Sequence, residues 1–73
     1  MKNIKLTQEL VGKFFGGMDS DCLEQIKDLA QQGAVINPTT GEIVLNNIRT
    51  NIFTDYFTRG LDDENKKWLQ INF

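Results

Sequence analysis

The chain has 73 residues and a mass of 8.4 kDa, a length that allows one domain with a small core. With 40% hydrophobic residues, 25% charged residues and one proline, the composition is that of a globular domain and excludes a disordered tail. The net charge of −2 argues against general affinity for nucleic acid or anionic lipid, and no segment has the roughly 18 consecutive apolar residues of a membrane span.

The residue types exclude several kinds of chemistry. The sequence has no histidine, which excludes histidine-based acid–base catalysis and, with only one cysteine present, argues against a zinc site. Cys22 has no partner for an intramolecular disulfide, and a lone thiol on an apolar helical position suits a buried residue in a reducing cytoplasm. We therefore expect a cytoplasmic protein that is not an enzyme, has no cofactor and binds no metal.

The first predicted elements are a short strand and a helix. Residues 2–6 alternate between polar and apolar side chains, which predicts a strand with Ile4 and Leu6 on one face. Thr7 then caps a helix, because its hydroxyl can accept a free N–H of the first turn. We expect this helix to end at the Gly16-Gly17 pair, where glycine permits a residue of left-handed conformation.

A second helix is predicted from Asp19 to Gly33. Asp19 is a favourable N-cap residue, and Gly33 is a favourable terminating residue. The apolar side chains between them recur at helical spacing and form the expected buried stripe: Leu23, Ile26, Leu29 and Ala30.

The rest of the chain predicts a hairpin and one or two C-terminal helices. Apolar segments at 34–37 and 42–45 flank a turn that starts with proline and ends with glycine, which is typical of a β-hairpin. A helix capped by Asn47 and stopped by Gly60 is predicted from five apolar side chains at helical spacing: Ile48, Ile52, Phe53, Tyr56 and Phe57. For the last dozen residues, a helix starting at Asp62 is favoured over a strand.

Residues 6–45 resemble the helix-turn-helix of a known family through a set of motif positions: Val11, Gly12, Phe15, Gly16, Cys22, Ile26, Leu29 and Gly33. The resemblance is to winged-helix proteins, in which a strand leads into two helices and a two-stranded wing, here the hairpin 34–45. It implies that Gly12 lies where the two helices cross. Gly17 departs from the pattern, and the helix that normally precedes the strand is missing, so we expect the helix 47–59 to take its place. The predicted fold is therefore a small α+β, winged-helix-like domain.

The resemblance implies DNA binding through the second helix, but the charge on that helix opposes it. Its outward residues include three carboxylates and one lysine, which would face a duplex with one phosphate charge per about 1.7 Å. We therefore expect a small regulator or inhibitor that binds a basic patch on a protein partner through this helix: Asp19, Asp21, Glu24, Gln25 and Asp28. The competing interpretation is that these are solvated acids at a helix start, where they suit the helix dipole.

The sequence contains two further candidate binding surfaces. The alternative function, a DNA-binding transcriptional regulator, would place five cations against phosphates: Lys2, Lys5, Lys27, Arg49 and Arg59. Four aromatic side chains in the last third of the chain form either a homodimer or partner contact or simply the core: Phe53, Tyr56, Phe57 and Trp68. Seven asparagines and seven isoleucines suit an AT-rich phage or mobile-element gene.

Overall fold

The computed structural model describes residues 2–73, and over this range the α+β prediction is confirmed. The helices and strands follow in the order β1 (Ile4–Lys5), α1 (Gln8–Phe15), α2 (Ser20–Gln31), β2 (Val35–Ile36), β3 (Ile43–Leu45), β4 (Ile48–Thr50), α3 (Thr54–Gly60) and α4 (Asp63–Asn72). The predicted strand, first two helices and hairpin are therefore present, and the last dozen residues form a helix.

The strands form one antiparallel sheet in the order β1-β2-β3-β4. Successive residues of a strand point to opposite faces, so the register assigns each row of side chains to one face. One in-register row is buried or half-buried on the core side: Ile4, Ile36, Ile43 and Thr50. The neighbouring row lies on the opposite face, with exposed cations at both ends: Lys5, Val35, Val44 and Arg49.

The predicted starts of α1 and α4 are confirmed by hydrogen bonds that capping side chains accept. Thr7 Oγ1 accepts from the N–H of Leu10 at 3.2 Å, and Asp62 Oδ1 accepts from the N–H of Asn65 at 2.8 Å. Each bond satisfies an N–H that has no partner inside its helix. The chain direction at α1 and α4 is therefore set by short-range hydrogen bonds that the sequence already indicates.

Two glycines differ from their predicted roles. Gly16 ends α1 with a φ of −63°, so the expected left-handed residue does not occur there. Gly12 is exposed, and a Cβ added to it would meet nothing within 4 Å, so no helix crossing requires glycine at this position. The close approach occurs instead at Gly60 of α3, where an added Cβ would lie 2.7 Å from the carbonyl oxygen of Phe14 in α1.

The predicted helix over 47–59 is wrong in its first half, because α3 begins only at Thr54 and residues 48–50 form β4. Asn46 and Asn47 have φ values of 51° and 66°, so Asn47 is a turn residue and not a helix cap. Two successive left-handed residues form the two-residue hairpin turn whose twist matches the flanking strands, and asparagine tolerates that conformation. The turn directs residues 48–50 back along β3.

The core is centred on three phenylalanines where α1 meets α3. The ring of Phe57 stacks on Phe14 with a centroid distance of 4.9 Å and lies 5.7 Å from Phe15. Offset aromatic pairs at these distances contribute about 0.5–1.5 kcal/mol beyond their burial. The expected packing of the C-terminal helix on the first helix is thus observed, through Phe57.

Candidate protein-binding surface

Helix α2 is fixed at both ends and packs one side on the core. Asp19 Oδ1 accepts from the N–H of Cys22 at 2.9 Å, which confirms the predicted N-cap. At the other end, the N–H of Gly33 (φ 91°) donates to Ala30 O and the N–H of Ala34 donates to Leu29 O, which is a Schellman ending. These hydrogen bonds fix both ends of α2, so the same side of the helix faces solvent along its length.

The outer face of α2 carries an acidic stripe, here the α2 stripe, made of Asp21, Glu24 and Asp28. Residues three and four apart are neighbours on a helix surface, so the three side chains lie in one row, and all three are exposed. No ion pair to any of them occurs in residues 2–73, where the sole ion pair joins Arg49 to Glu42 at 3.9 Å. The stripe therefore carries uncompensated negative charge.

The residues in and beside the α2 stripe have different contacts within the fold. Gln25 is exposed and adjoins the stripe, whereas Asp28 accepts a hydrogen bond from Gln32 Nε2 at 2.9 Å. Lys27 lies on the flank towards α1, where its carbonyl oxygen accepts from Gln8 Nε2 at 3.5 Å. The structure thus brings four of the predicted partner-binding residues together on one helix face, namely Asp21, Glu24, Gln25 and Asp28. The fifth, Asp19, is the N-cap before the helix and does not share this face.

Asp19 and Cys22 influence each other at the start of α2. The hydrogen bonds from Cys22 to the carboxylate, chiefly from its backbone N–H, hold the pKa of Asp19 below its ordinary value. In turn, a side-chain hydrogen bond with Asp19 raises the pKa of the half-buried Cys22 thiol. A raised pKa leaves little thiolate near neutral pH, so Cys22 lacks the character of a nucleophile.

The predicted aromatic surface is divided by the fold. Phe53 and Phe57 are only 2% and 1% exposed and belong to the core, which is one of the two alternatives for the aromatic residues and leaves no dimer or partner contact through these two side chains. Tyr56 and Trp68 are half-buried against the core and keep part of their rings accessible. A domain this small uses its large side chains mainly to fill its interior.

The five cations of the alternative DNA-binding surface are all exposed but lie on separate elements: Lys2, Lys5, Lys27, Arg49 and Arg59. Lys5 and Arg49 share one row of the sheet at its two opposite edges, about 14 Å apart across three strand spacings. Arg49 is also paired with Glu42. The arrangement therefore gives no continuous basic track on the face of α2.

The sequence does not predict two exposed apolar side chains, Ile48 in β4 and Ile52 two residues after it. Ile48 and Ile52 are 69% and 67% exposed, although their helical spacing predicts burial on one side of a helix. Ile71 and Phe73 at the end of α4 are exposed as well. The two successive asparagines before Ile48 are the one local signal that favours a turn and a strand at this point.

Residues 2–73 contain no cluster of three potential metal-ligating side chains, and no helix among them is long and apolar enough to span a bilayer. Comparisons with protein-family models, curated proteins and solved structures give no match to this chain. The winged-helix resemblance therefore stays a prediction.

Proposed function

We propose that the protein is a small non-enzymatic regulator or inhibitor that binds a basic surface of a protein partner through the α2 stripe. The observation that carries the proposal is a row of three exposed carboxylates without cationic partners on a helix fixed at both ends. Opposite charge on a partner would steer encounter and raise the association rate by about 10–10³-fold at low salt. Cys22, as a lone thiol, supports action in the reducing cytoplasm.

The proposal is tested by reversing charge in the stripe while keeping the helix start intact. Glu24→Lys with Asp28→Lys changes the net charge by +4 and leaves Asp21 in the first turn, where an acid suits the helix dipole. The control is Asp63→Lys with Glu64→Lys in α4, which changes the net charge equally at another exposed site. Because both acids lie in the first turn of α4, some loss of stability is expected in this control alone. Circular dichroism of both variants shows whether the fold is retained.

Wild type and both double variants are immobilised for affinity capture. The affinity and association rate of each captured protein are then measured in solution with wild type, the stripe variant and the α4 control. We expect a partner that binds wild type and the α4 control alike but loses at least about tenfold in affinity for the stripe variant, with a slower association rate. Equal affinity for the stripe variant and the control would refute a role for the stripe.

DNA is the second arm of the same test. A titration with mixed-sequence duplex at low and physiological salt measures how many phosphates are neutralised, since each adds about 0.9 to the salt slope. We expect no saturable binding, because the α2 stripe would face the phosphates and the cations are dispersed. Steep, salt-dependent binding would overturn the protein-partner proposal in favour of DNA.

A further inference from the structure

A cleft of about 200 Å³ lies between the C-terminal ends of α1 and α3, away from the α2 stripe. Lys13 and Arg59 line it together with Tyr56 and the backbone at Gly16 and Gly17. No carboxylate of the described residues lines the cleft. On a chain with a net charge of −2, this is a local concentration of positive charge with room for a small ligand.

Both cations of the cleft are positioned by aromatic rings. Lys13 Nζ lies 4.8 Å from the ring centroid of Trp68, and Arg59 Cζ lies 5.1 Å from that of Tyr56. A guanidinium group that lies over a ring keeps its in-plane N–H donors free, and these donors match the spacing of two oxygens on one anion. The rings therefore orient the cations without satisfying their hydrogen-bonding capacity.

The acids nearest in sequence leave these cations unpaired. Glu9 and Asp55 precede Lys13 and Arg59 by four residues, the usual spacing of an ion pair on a helix. Neither pair closes to ion-pair distance within residues 2–73. Lys13 and Arg59 lie in the last turns of α1 and α3, where a cation interacts favourably with the helix dipole. That interaction does not require either side chain to point into the cleft.

Helix C-termini carry partial negative charge on free carbonyl groups, which would repel an anion. Asn65 of α4 reduces this effect here, because its Nδ2 donates to Gly60 O at 2.7 Å and to Lys13 O at 3.5 Å. Phe15 O also accepts a hydrogen bond, from the N–H of Met18 at 3.1 Å. The carbonyl groups beside the cleft are thus partly neutralised, and the charge of the two cations dominates.

We propose that this cleft binds a phosphate group, held by Arg59 and Lys13 against the Gly16-Gly17 backbone. A phosphate ester carries close to two negative charges at neutral pH, which matches the two cations, and its three terminal oxygens allow both to bind at once. The volume corresponds to about seven water molecules in the liquid and is large enough for such a group. The phosphate belongs either to a small molecule or to a phosphorylated side chain, and the inference does not rest on the proposed function.

The test is a ¹H–¹⁵N titration of the full chain at pH 7.5 and constant ionic strength in chloride, with two probes. The probes are inorganic phosphate and a serine-phosphorylated peptide of otherwise neutral sequence. We expect saturable shifts centred on the amides of Gly16, Gly17 and Gly60. Arg59→Ala should weaken the affinity by about tenfold or more, whereas Arg49→Ala, with the same loss of charge outside the cleft, should retain it.

The outcomes separate the sources of the phosphate from a failure of the proposal. Saturation by inorganic phosphate at least as tight as that by the peptide indicates a small-molecule ligand, and tighter saturation by the peptide indicates a phosphorylated partner. Shifts that stay linear for both probes, or equal weakening by Arg59→Ala and Arg49→Ala, would overturn the site. Arg59→Lys keeps the charge without the planar group and provides a second variant if Arg59→Ala does not fold. Glu24→Lys with Asp28→Lys should leave this titration unchanged, so the two proposals fail separately.

Discussion

Gly41 is the position where local backbone conformation and the core depend on one residue. Its φ of 81° lies in the left-handed region that side chains disfavour, and it ends the hairpin turn between β2 and β3. A Cβ added there would lie 2.8 Å from the Cβ of Phe57 and 3.0 Å from its ring. Gly41→Ala therefore strains the turn and pushes against a ring of the core that is only 1% exposed.

The expected loss of stability has two parts. A left-handed backbone costs a non-glycine residue about 1–2 kcal/mol, and overpacking a close-packed core costs about 1–3 kcal/mol. Together they give a loss of about 2–5 kcal/mol for Gly41→Ala. Because a domain of 73 residues has a free energy of unfolding of roughly 4–11 kcal/mol, this substitution removes a large fraction of it.

Gly33→Ala is the matched control, since Gly33 has a φ of 91° but open space where a Cβ would lie. It should lose only the backbone part, about 1–2 kcal/mol. Gly12→Ala, in a helix with open space around it, should gain about 0.5–1 kcal/mol. Urea unfolding followed by circular dichroism measures all three variants. A loss in Gly41→Ala no larger than that in Gly33→Ala would refute the contact between the turn and Phe57.

Four further substitutions test β4, the residues on either side of it and the start of α2. Asn47→Gly should raise the free energy of unfolding by about 0.5–1 kcal/mol, because the hairpin turn favours glycine there, whereas a helix starting at Asn47 would not gain. Ile48→Thr and Ile52→Thr should each change urea stability by less than about 0.5 kcal/mol, since both side chains are mostly exposed; a larger loss would mean that they are buried. Asp19 stabilises the fold fully above its ordinary pKa of 3.8, and this contribution is lost as pH falls through its lower folded-state pKa. Asp19→Asn keeps a capping side chain but does not titrate, so the unfolding temperature of this variant should fall less at acid pH than that of wild type. An equal fall in both proteins would contradict the role of the Asp19 carboxylate.

The features that sequence predicts well here depend on atoms within a few residues of each other. Thr7, Asp19 and Asp62 each accept from an N–H three residues later, so residue type and position are sufficient to locate the helix starts. The hairpin turn and the end of α2 follow in the same way from Gly41 and Gly33, whose positive φ values were the expected ones. Local chemistry thus accounts for most boundaries.

The error over residues 47–53 has a non-local cause. The spacing of Ile48 and Ile52 with the aromatics that follow fits one side of a helix, and only the later residues use it in α3. Residues 48–50 instead complete their hydrogen bonds by pairing with Ile43–Leu45 across the Asn46-Asn47 turn. That choice depends on strand pairing, which periodicity within a single segment does not report.

The two candidate sites also differ in whether local sequence spacing is sufficient to predict them. The α2 stripe follows from helical spacing alone, because acids three and four residues apart share a face wherever the helix is placed. The cleft requires the packing of α1 against α3, which brings Lys13 and Arg59 together from distant parts of the chain. The alternative DNA-binding surface predicted from the sequence includes Arg59 but not Lys13, since no motif connects the two cations.

The fold accounts for the acids of α2 to different degrees, and this decides where a functional test is informative. Asp19 is the N-cap, and Asp28 accepts from Gln32, so both have structural partners. Asp21 suits the first turn of the helix, whereas Glu24 is exposed and has no hydrogen bond or ion pair within residues 2–73. Reversal of Glu24 alone should therefore lower partner affinity without lowering the unfolding temperature. Loss of Asp19 should lower the unfolding temperature, because it removes the N-cap of α2. If Glu24→Lys changed neither quantity, the stripe would be a solvated helix face and nothing more.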